Sequence, residues 1–304
     1  MTLNGLERLK HFRMLDIGKE LDKGKIWILR ASINAKLVHK LPDPDNGWEL
    51  RKHGIKGDLI PALEKLGICI GTHISQCCSI RDREFGDPDS VRFETAAEYN
   101  AYLEDVRADI RSLKTRVFPT LDELAGEAMK EEIVKAGSDK DSTGGVTETI
   151  ICGLGAGVGE PWFDGLDALI AHAVLSIGAV KGIEFGAGFA LSEGRGSLWN
   201  DQLRISEDGQ VFAMTNSSGG ITGGISNGMP VVFRCAVKPT PSTGLSQKTI
   251  DFIKKENIEH TVSGRHDPAV IRRICPVLDS VSAIVIADQL AGRYGTDVFI
   301  SGIK

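Results

Sequence analysis

A lysine placed straight after a hydrophobic strand and two glycine pairs is the clearest chemistry in this 304-residue chain. Residues 215–242 read TNSSGGITGGISNGMPVVFRCAVKPTPS. Gly219-Gly220 and Gly223-Gly224 open φ > 0 to the backbone and leave amides free to form an anion-binding nest. Val231 to Val237 reads as a buried strand, and Lys238 follows it with a positive charge. Pro239 and Pro241 stiffen the turn, leaving the Lys238 ammonium and the hydroxyls of Thr240 and Ser242 as its polar groups. A phosphate suits that set. The competing reading is a glycine-rich hairpin followed by a proline-rich loop with no ligand.

A second group is Arg265-His266-Asp267. Asp267 before Pro268 reads as an N-cap with proline at the first helical position, and a cation, an imidazole and a carboxylate at a helix start suit an anion and a proton transfer. Asp139-Lys140-Asp141-Ser142-Thr143-Gly144-Gly145 reads either as a capped turn or as a second glycine-lined wall beside the first. Gly153-Leu154-Gly155-Ala156-Gly157-Val158-Gly159 fails the dinucleotide-binding spacing, because Val158 and Glu160 stand where the third glycine is required. Cys69, Cys77, Cys78, Cys152, Cys235 and Cys275 lack metal-ligand spacing and read as reduced thiols, mostly in the core; Cys77 and Cys78, adjacent on a strand, point to opposite faces. No metal site is expected. His11, His39, His53, His73, His172 and His260 are isolated in sequence and read as surface or core residues, with His172 assigned to the core of an apolar helix.

These groups need a scaffold. With 41% hydrophobic residues the chain can bury one large core, and a net charge of -5 with pI near 5.9 argues against a nucleic-acid footprint. No apolar run is read as a membrane span and no signal peptide is read at the start, so cytoplasm is the expectation. Strands are expected at Ile68–Ser79, Val146–Leu154, Val180–Phe185 and Val231–Val237, with a hairpin over Leu203–Ala213 turning at Glu207-Asp208-Gly209. Helices are expected at Thr95–Lys114, Asp122–Lys135 with a stop at Gly137, Leu166–Ile177, Gln247–Glu256, and Pro268–Gly292 with an interruption at Pro276. Lys40 to Trp48 reads as a loop. The class is α/β with layered helices and antiparallel sheets rather than a doubly wound parallel sheet.

In order and spacing, DSTGGVTE at 141–148, GEPWFDGLDALIAHAVLSIGAVKGIEFGAGF at 159–189, SSGGITGGISNGMPVVFRCAVKPTPS at 217–242 and RHDP at 265–268 resemble chorismate synthase. The likeness covers roughly residues 58–304 of an expected single domain 1–304, with 1–57 divergent or truncated. It implies an α+β fold in which helices are layered between antiparallel sheets, a β-α-β sandwich, in a homotetramer. It also implies reduced FMN as cofactor, NAD(P)H as a possible reductant, and a lyase of the shikimate pathway. The reaction is 1,4-elimination of phosphate from 5-enolpyruvylshikimate 3-phosphate, giving chorismate for aromatic amino acid biosynthesis.

Carried over by position, the family's flavin contacts fall on Gly178, Ala179, Gly223, Lys238, Pro239, Thr240, Pro241, Ser242 and Arg265. Arg265 also faces the substrate, and the carboxylate near the flavin N5 falls on Asp267. Gly178 departs from the family, which commonly has asparagine there. The family's Gly-Glu-Ser-His-Gly, Arg-Pro-Gly-His and Gly-Gly-Gly-Arg-Ser-Ser motifs, which supply both catalytic histidines and most substrate arginines, are not readable in this chain. The alternative to an active enzyme is therefore a flavin-binding or structural paralogue, or a truncated form, lacking those acids.

Overall fold

The structure is a computed structural model that describes residues 59–83, 85, 92–264 and 266–295. The loop expected at Lys40–Trp48, together with His11, His39, His53 and Arg265, lies outside the described residues.

Helix α1 (Ile60–Lys65) leads into strand β1 (Cys69–Cys77) and the short β2 (Ile80–Arg81). Helices α2 (Ala96–Leu113) and α3 (Glu123–Ser138) follow, then β3 (Gly145–Cys152), α4 (Leu166–Leu175) and β4 (Val180–Phe185). A helical turn, α5 (Gly196–Trp199), precedes two small hairpins, β5 (Leu203–Ile205) with β6 (Val211–Ala213) and β7 (Ile221–Thr222) with β8 (Ile225–Ser226). Strand β9 (Val231–Val237), a third hairpin β10 (Gln247–Asp251) with β11 (Glu256–His260), and the long α6 (Ile271–Tyr294) complete the order.

Five strands form one antiparallel sheet in the order β2-β1-β3-β9-β4. Strand β3 is central and covered on both faces, so Thr147 to Cys152 are all buried instead of alternating in and out. On one face α6, α4 and α1 pack over Ile70, Ile74, Ile151, Phe233 and Cys235. On the other, α2 packs Val106, Ile110 and Leu113 over Ile150 and Val232. Helix α2 starts where its sequence says it should: Thr95 and Glu98 form a reciprocal capping box that satisfies amides of the first turn. This is the α+β class with antiparallel sheets that the sequence suggests.

Three expectations are corrected. Gln247–Glu256 is not helical; it supplies β10, which pairs with β11 through Thr249↔Ile258 and Lys248↔Glu259. The cause is local: Asp251 accepts the amides of Ile253 and Lys254, and Lys255 turns the chain at φ 56°. Helix α3 runs through Gly137 to Ser138, and the left-handed residue that ends it is Lys140, φ 61°. His172 is exposed, because the buried stripe of α4 is Leu166, Ile170 and Val174.

Helix α6 continues through Pro276 to Tyr294, and it is long and apolar enough to cross a membrane by length and composition, contrary to the reading that no segment is. Here it is a core helix, packed on β1, β3 and α4.

Candidate functional site

Lys238 leaves the sheet at the end of β9. Its backbone amide donates to the Ala179 carbonyl at 2.9 Å, and Ala179 holds the left-handed φ of 77° that a side chain rarely adopts. The lysine turn and the Gly178-Ala179 corner before β4 are thus one unit. Where a Gly178 side chain would begin, no atom lies within 4 Å, so the corner opens onto free space.

The 141–144 loop clamps the other side of the turn. Ser142 Oγ donates to the Thr240 carbonyl at 2.7 Å, and Gly244 N donates to the Lys140 carbonyl at 2.9 Å. Gly144 has no room for a side chain: a Cβ there would meet the Val237 carbonyl oxygen at 2.7 Å and Pro239 Cδ at 2.8 Å. The 141–144 loop thus forms a capped turn, with Asp141 accepting the Ser142 amide, that walls the lysine turn on one side, while its glycine packs against Val237 and Pro239 instead of lining the cleft. Between the walls lies a cleft of about 500 Å³ whose lining includes Asp141, Ser142, Lys238, Thr240, Thr243 and Gln247.

Asp267 is tied to the same loop. Thr143 N donates to the Pro268 carbonyl at 2.7 Å, next to Asp267 in sequence. The N-cap reading is corrected, since α6 begins at Ile271 with Val270 as its uncapped start. Asp267 instead forms an ion pair with Arg273 and accepts the Ala269 amide at 3.4 Å. His266 Nε2 donates to the Val262 carbonyl at 3.0 Å.

Gly223 stands apart. Both glycine pairs do adopt positive φ, 62°, 78°, 63° and 83° along Gly219, Gly220, Gly223 and Gly224. However, Gly224 accepts the amide of Leu166, the first residue of α4, whereas Gly178-Ala179 lies just past the last. Ten residues of helix separate those ends by about 15 Å. Within one chain Gly223 and Lys238 do not share a wall.

One ionisable cluster escaped the sequence reading. His73 is fully buried, with Nδ1 3.0 Å from Asp82 Oδ2 and Nε2 2.9 Å from Glu148 Oε2. Burial alone would lower the His73 pKa, but its hydrogen bonds to Asp82 and Glu148 prevail and hold it above the usual value. For Asp82 burial acts upward, and the bonds from His73 and from the Leu121 and Asp122 amides prevail, holding it below the usual carboxylate value. His73 and Glu148 face each other across β1 and β3, Glu148 faces Arg234 across β3 and β9, and Arg234 pairs with Glu184 of β4 at 2.8 Å. Polar residues inside apolar strands, Thr72-His73 and Thr147-Glu148-Thr149, were the available signal. Pairing them required the strand register.

A phosphate-bearing ligand fits the lysine end of the sheet. Thr240 Oγ1 is buried without a partner among the described residues, and the Lys238 ammonium has no ion pair among them. A buried hydroxyl without a partner is costly unless something accepts from it or donates to it. The fold and this site define an α+β protein with a cationic, hydroxyl-bearing turn at one end of an antiparallel sheet.

The family model described as chorismate synthase matches residues 60–291, and the chain belongs to that family. It is 45% identical to the chorismate synthase of Methanothermobacter thermautotrophicus over 203 residues, covering 64% of this chain and 54% of that one. With the chorismate synthase of Methanococcoides burtonii it shares 40% over 228 residues, 75% of this chain and 57% of the relative. A solved structure titled "Crystal Structure of Chorismate Synthase" superposes with a TM-score of 0.60 at 26% identity, over 79% of this chain and 62% of that chain. The chain spans about half the length of these curated relatives.

Proposed function

We propose that this chain carries the flavin-binding half of a chorismate synthase site and serves the 1,4-elimination of phosphate from 5-enolpyruvylshikimate 3-phosphate to give chorismate. The observation that supports this most is the lysine turn: a fixed cation, a buried hydroxyl without a partner and an open Gly178 corner, joined by backbone hydrogen bonds. When bound, reduced FMN supplies the redox-poised group that the reaction needs without net redox change. The chain's own residues do the rest. Lys238 and the Thr240 and Ser242 hydroxyls hold phosphate oxygens, with Arg265 adding charge for cofactor and substrate. Asp267, oriented by Arg273, is a fixed acceptor for a proton beside the flavin. The elimination breaks the C–O bond to phosphate and a C–H bond, so one site must stabilise a departing anion and another must take a proton.

The reading includes a homotetramer, NAD(P)H as reductant and a cytoplasmic enzyme. Its test is direct: purified chain, photoreduced FMN and 5-enolpyruvylshikimate 3-phosphate are combined without oxygen, and chorismate is measured. Chorismate formation in proportion to enzyme is expected; none at any enzyme concentration overturns the reading of an active enzyme. A second reading, flavin binding without turnover, is motivated by the family's Gly-Glu-Ser-His-Gly and Arg-Pro-Gly-His motifs not being readable in the sequence. A flavin titration with normal affinity and no chorismate would select it.

A further inference from the structure

We infer that Asp141 reads the hydroxyl chain of the cofactor while Lys238 takes its phosphate. Both line the same cleft of about 500 Å³ and do not pair with each other, so the cleft offers a cation and a carboxylate that do not neutralise one another. Asp141 is held there. The preceding Lys140 adopts φ 61°, a strained conformation for a residue with a side chain, and the flanking residues are bonded to the carbonyls of Thr240 and Pro268 and to the amide of Gly244. One carboxylate oxygen of Asp141 accepts the Ser142 amide at 2.8 Å, which leaves the other for a ligand.

A carboxylate beside a phosphate site repels the anion unless the same ligand also brings it a hydrogen-bond donor. Hydroxyl groups provide one, because an ionised carboxylate accepts O–H hydrogen bonds of the strong, charge-assisted kind. A ligand with a phosphate at one end of a polyol chain satisfies both groups, and flavin mononucleotide has that form. This inference rests on the reading that the cleft binds the flavin.

The two roles predict opposite signs. If Asp141 merely repelled phosphate, Asp141→Ala would tighten FMN binding; as a hydroxyl acceptor, it weakens FMN and riboflavin alike, about ten-fold or more. Lys238→Ala weakens FMN and spares riboflavin, which lacks the phosphate. Titration of the full chain by flavin fluorescence with FMN and with riboflavin, in wild type, Asp141→Ala, Asp141→Asn and Lys238→Ala, reads all of this. Inorganic phosphate as competitor should bind Asp141→Ala at least as well as wild type, showing the lysine turn intact. Asp141→Asn, which retains an acceptor for the Ser142 amide, should recover only part of the loss. Unchanged riboflavin affinity in Asp141→Ala, tighter FMN binding, full recovery in Asp141→Asn, or riboflavin affinity too weak to measure in the wild type would overturn the inference alone. A wild type that binds neither flavin would overturn the flavin reading along with it.

Discussion

The backbone amide of Lys238 meets the Ala179 carbonyl at 2.9 Å, which joins the end of β9 to the corner before β4. The bond leaves the lysine side chain free of structural duty. Lys238 is exposed, so its ammonium can serve a ligand without holding the core together.

Lys238→Ala should therefore separate binding from stability. Loss of a charge-assisted contact to phosphate corresponds to about 1.5–3 kcal/mol, roughly ten- to hundred-fold in FMN affinity. Thermal unfolding should stay within about 0.5 kcal/mol of wild type, as for other surface substitutions. Flavin titration beside a melting curve checks both, and unchanged affinity removes Lys238 from the site.

Gly144→Ala should couple the two properties. The new methyl would sit 2.7 Å from a backbone oxygen of Val237 and 2.8 Å from the Pro239 ring, neither of which is the far end of a flexible side chain. Overpacking of this kind costs about 1–3 kcal/mol, and relief must come by pushing the lysine turn away from the 141–144 loop. Lower urea stability and weaker FMN binding are expected together. Wild-type values of both would show that the loop yields freely.

His73→Ala should be the most damaging single change, since it leaves Asp82 and Glu148 buried without the imidazole between them. Breaking a buried ionic cluster costs about 3–5 kcal/mol, measurable by urea unfolding near pH 6.

The same cluster sets a pH dependence with opposite signs at its two ends. The His73 pKa is raised above 6.5, so its contribution is complete below 6.5 and is lost as pH rises through the folded value. The Asp82 pKa is lowered from 3.8, so its contribution is present above 3.8 and is lost as pH falls through the folded value. Wild-type stability should plateau between these limits and fall on both sides. In His73→Ala the alkaline decline should flatten; an unchanged alkaline limb would assign it to other groups.

Local signals were legible where local chemistry decides. The charged amphipathic run from Thr95 announced α2, Asp208-Gly209 announced the β5–β6 turn, and the apolar run before Lys238 announced β9. Gln247–Glu256 misled because its charged residues suit a helix surface as well as an exposed hairpin, and the side chain of Asp251 decides the turn. Gly223 and Lys238 looked like one wall because only 15 positions separate them. The intervening β9 crosses the sheet, so closeness in sequence became distance in space. The His73 cluster was invisible for the converse reason: His73 and Glu148 are 75 positions apart and meet only through the register of β1 with β3.

Asp267→Asn tests the proton role in the proposed reaction. The substitution keeps the side chain's shape and an acceptor for the Ala269 amide, but it removes the charge paired with Arg273. If Asp267 takes or orients a proton beside the flavin, kcat falls by roughly 10²–10⁴. FMN affinity stays near wild type, because the lysine turn is held by Ala179 and Ser142 and not by Asp267. A fall in kcat with flavin affinity retained places Asp267 in the chemical step. A loss of flavin affinity equal to the loss of rate would make Asp267 a support for the pocket, and wild-type turnover would take it out of the reaction altogether.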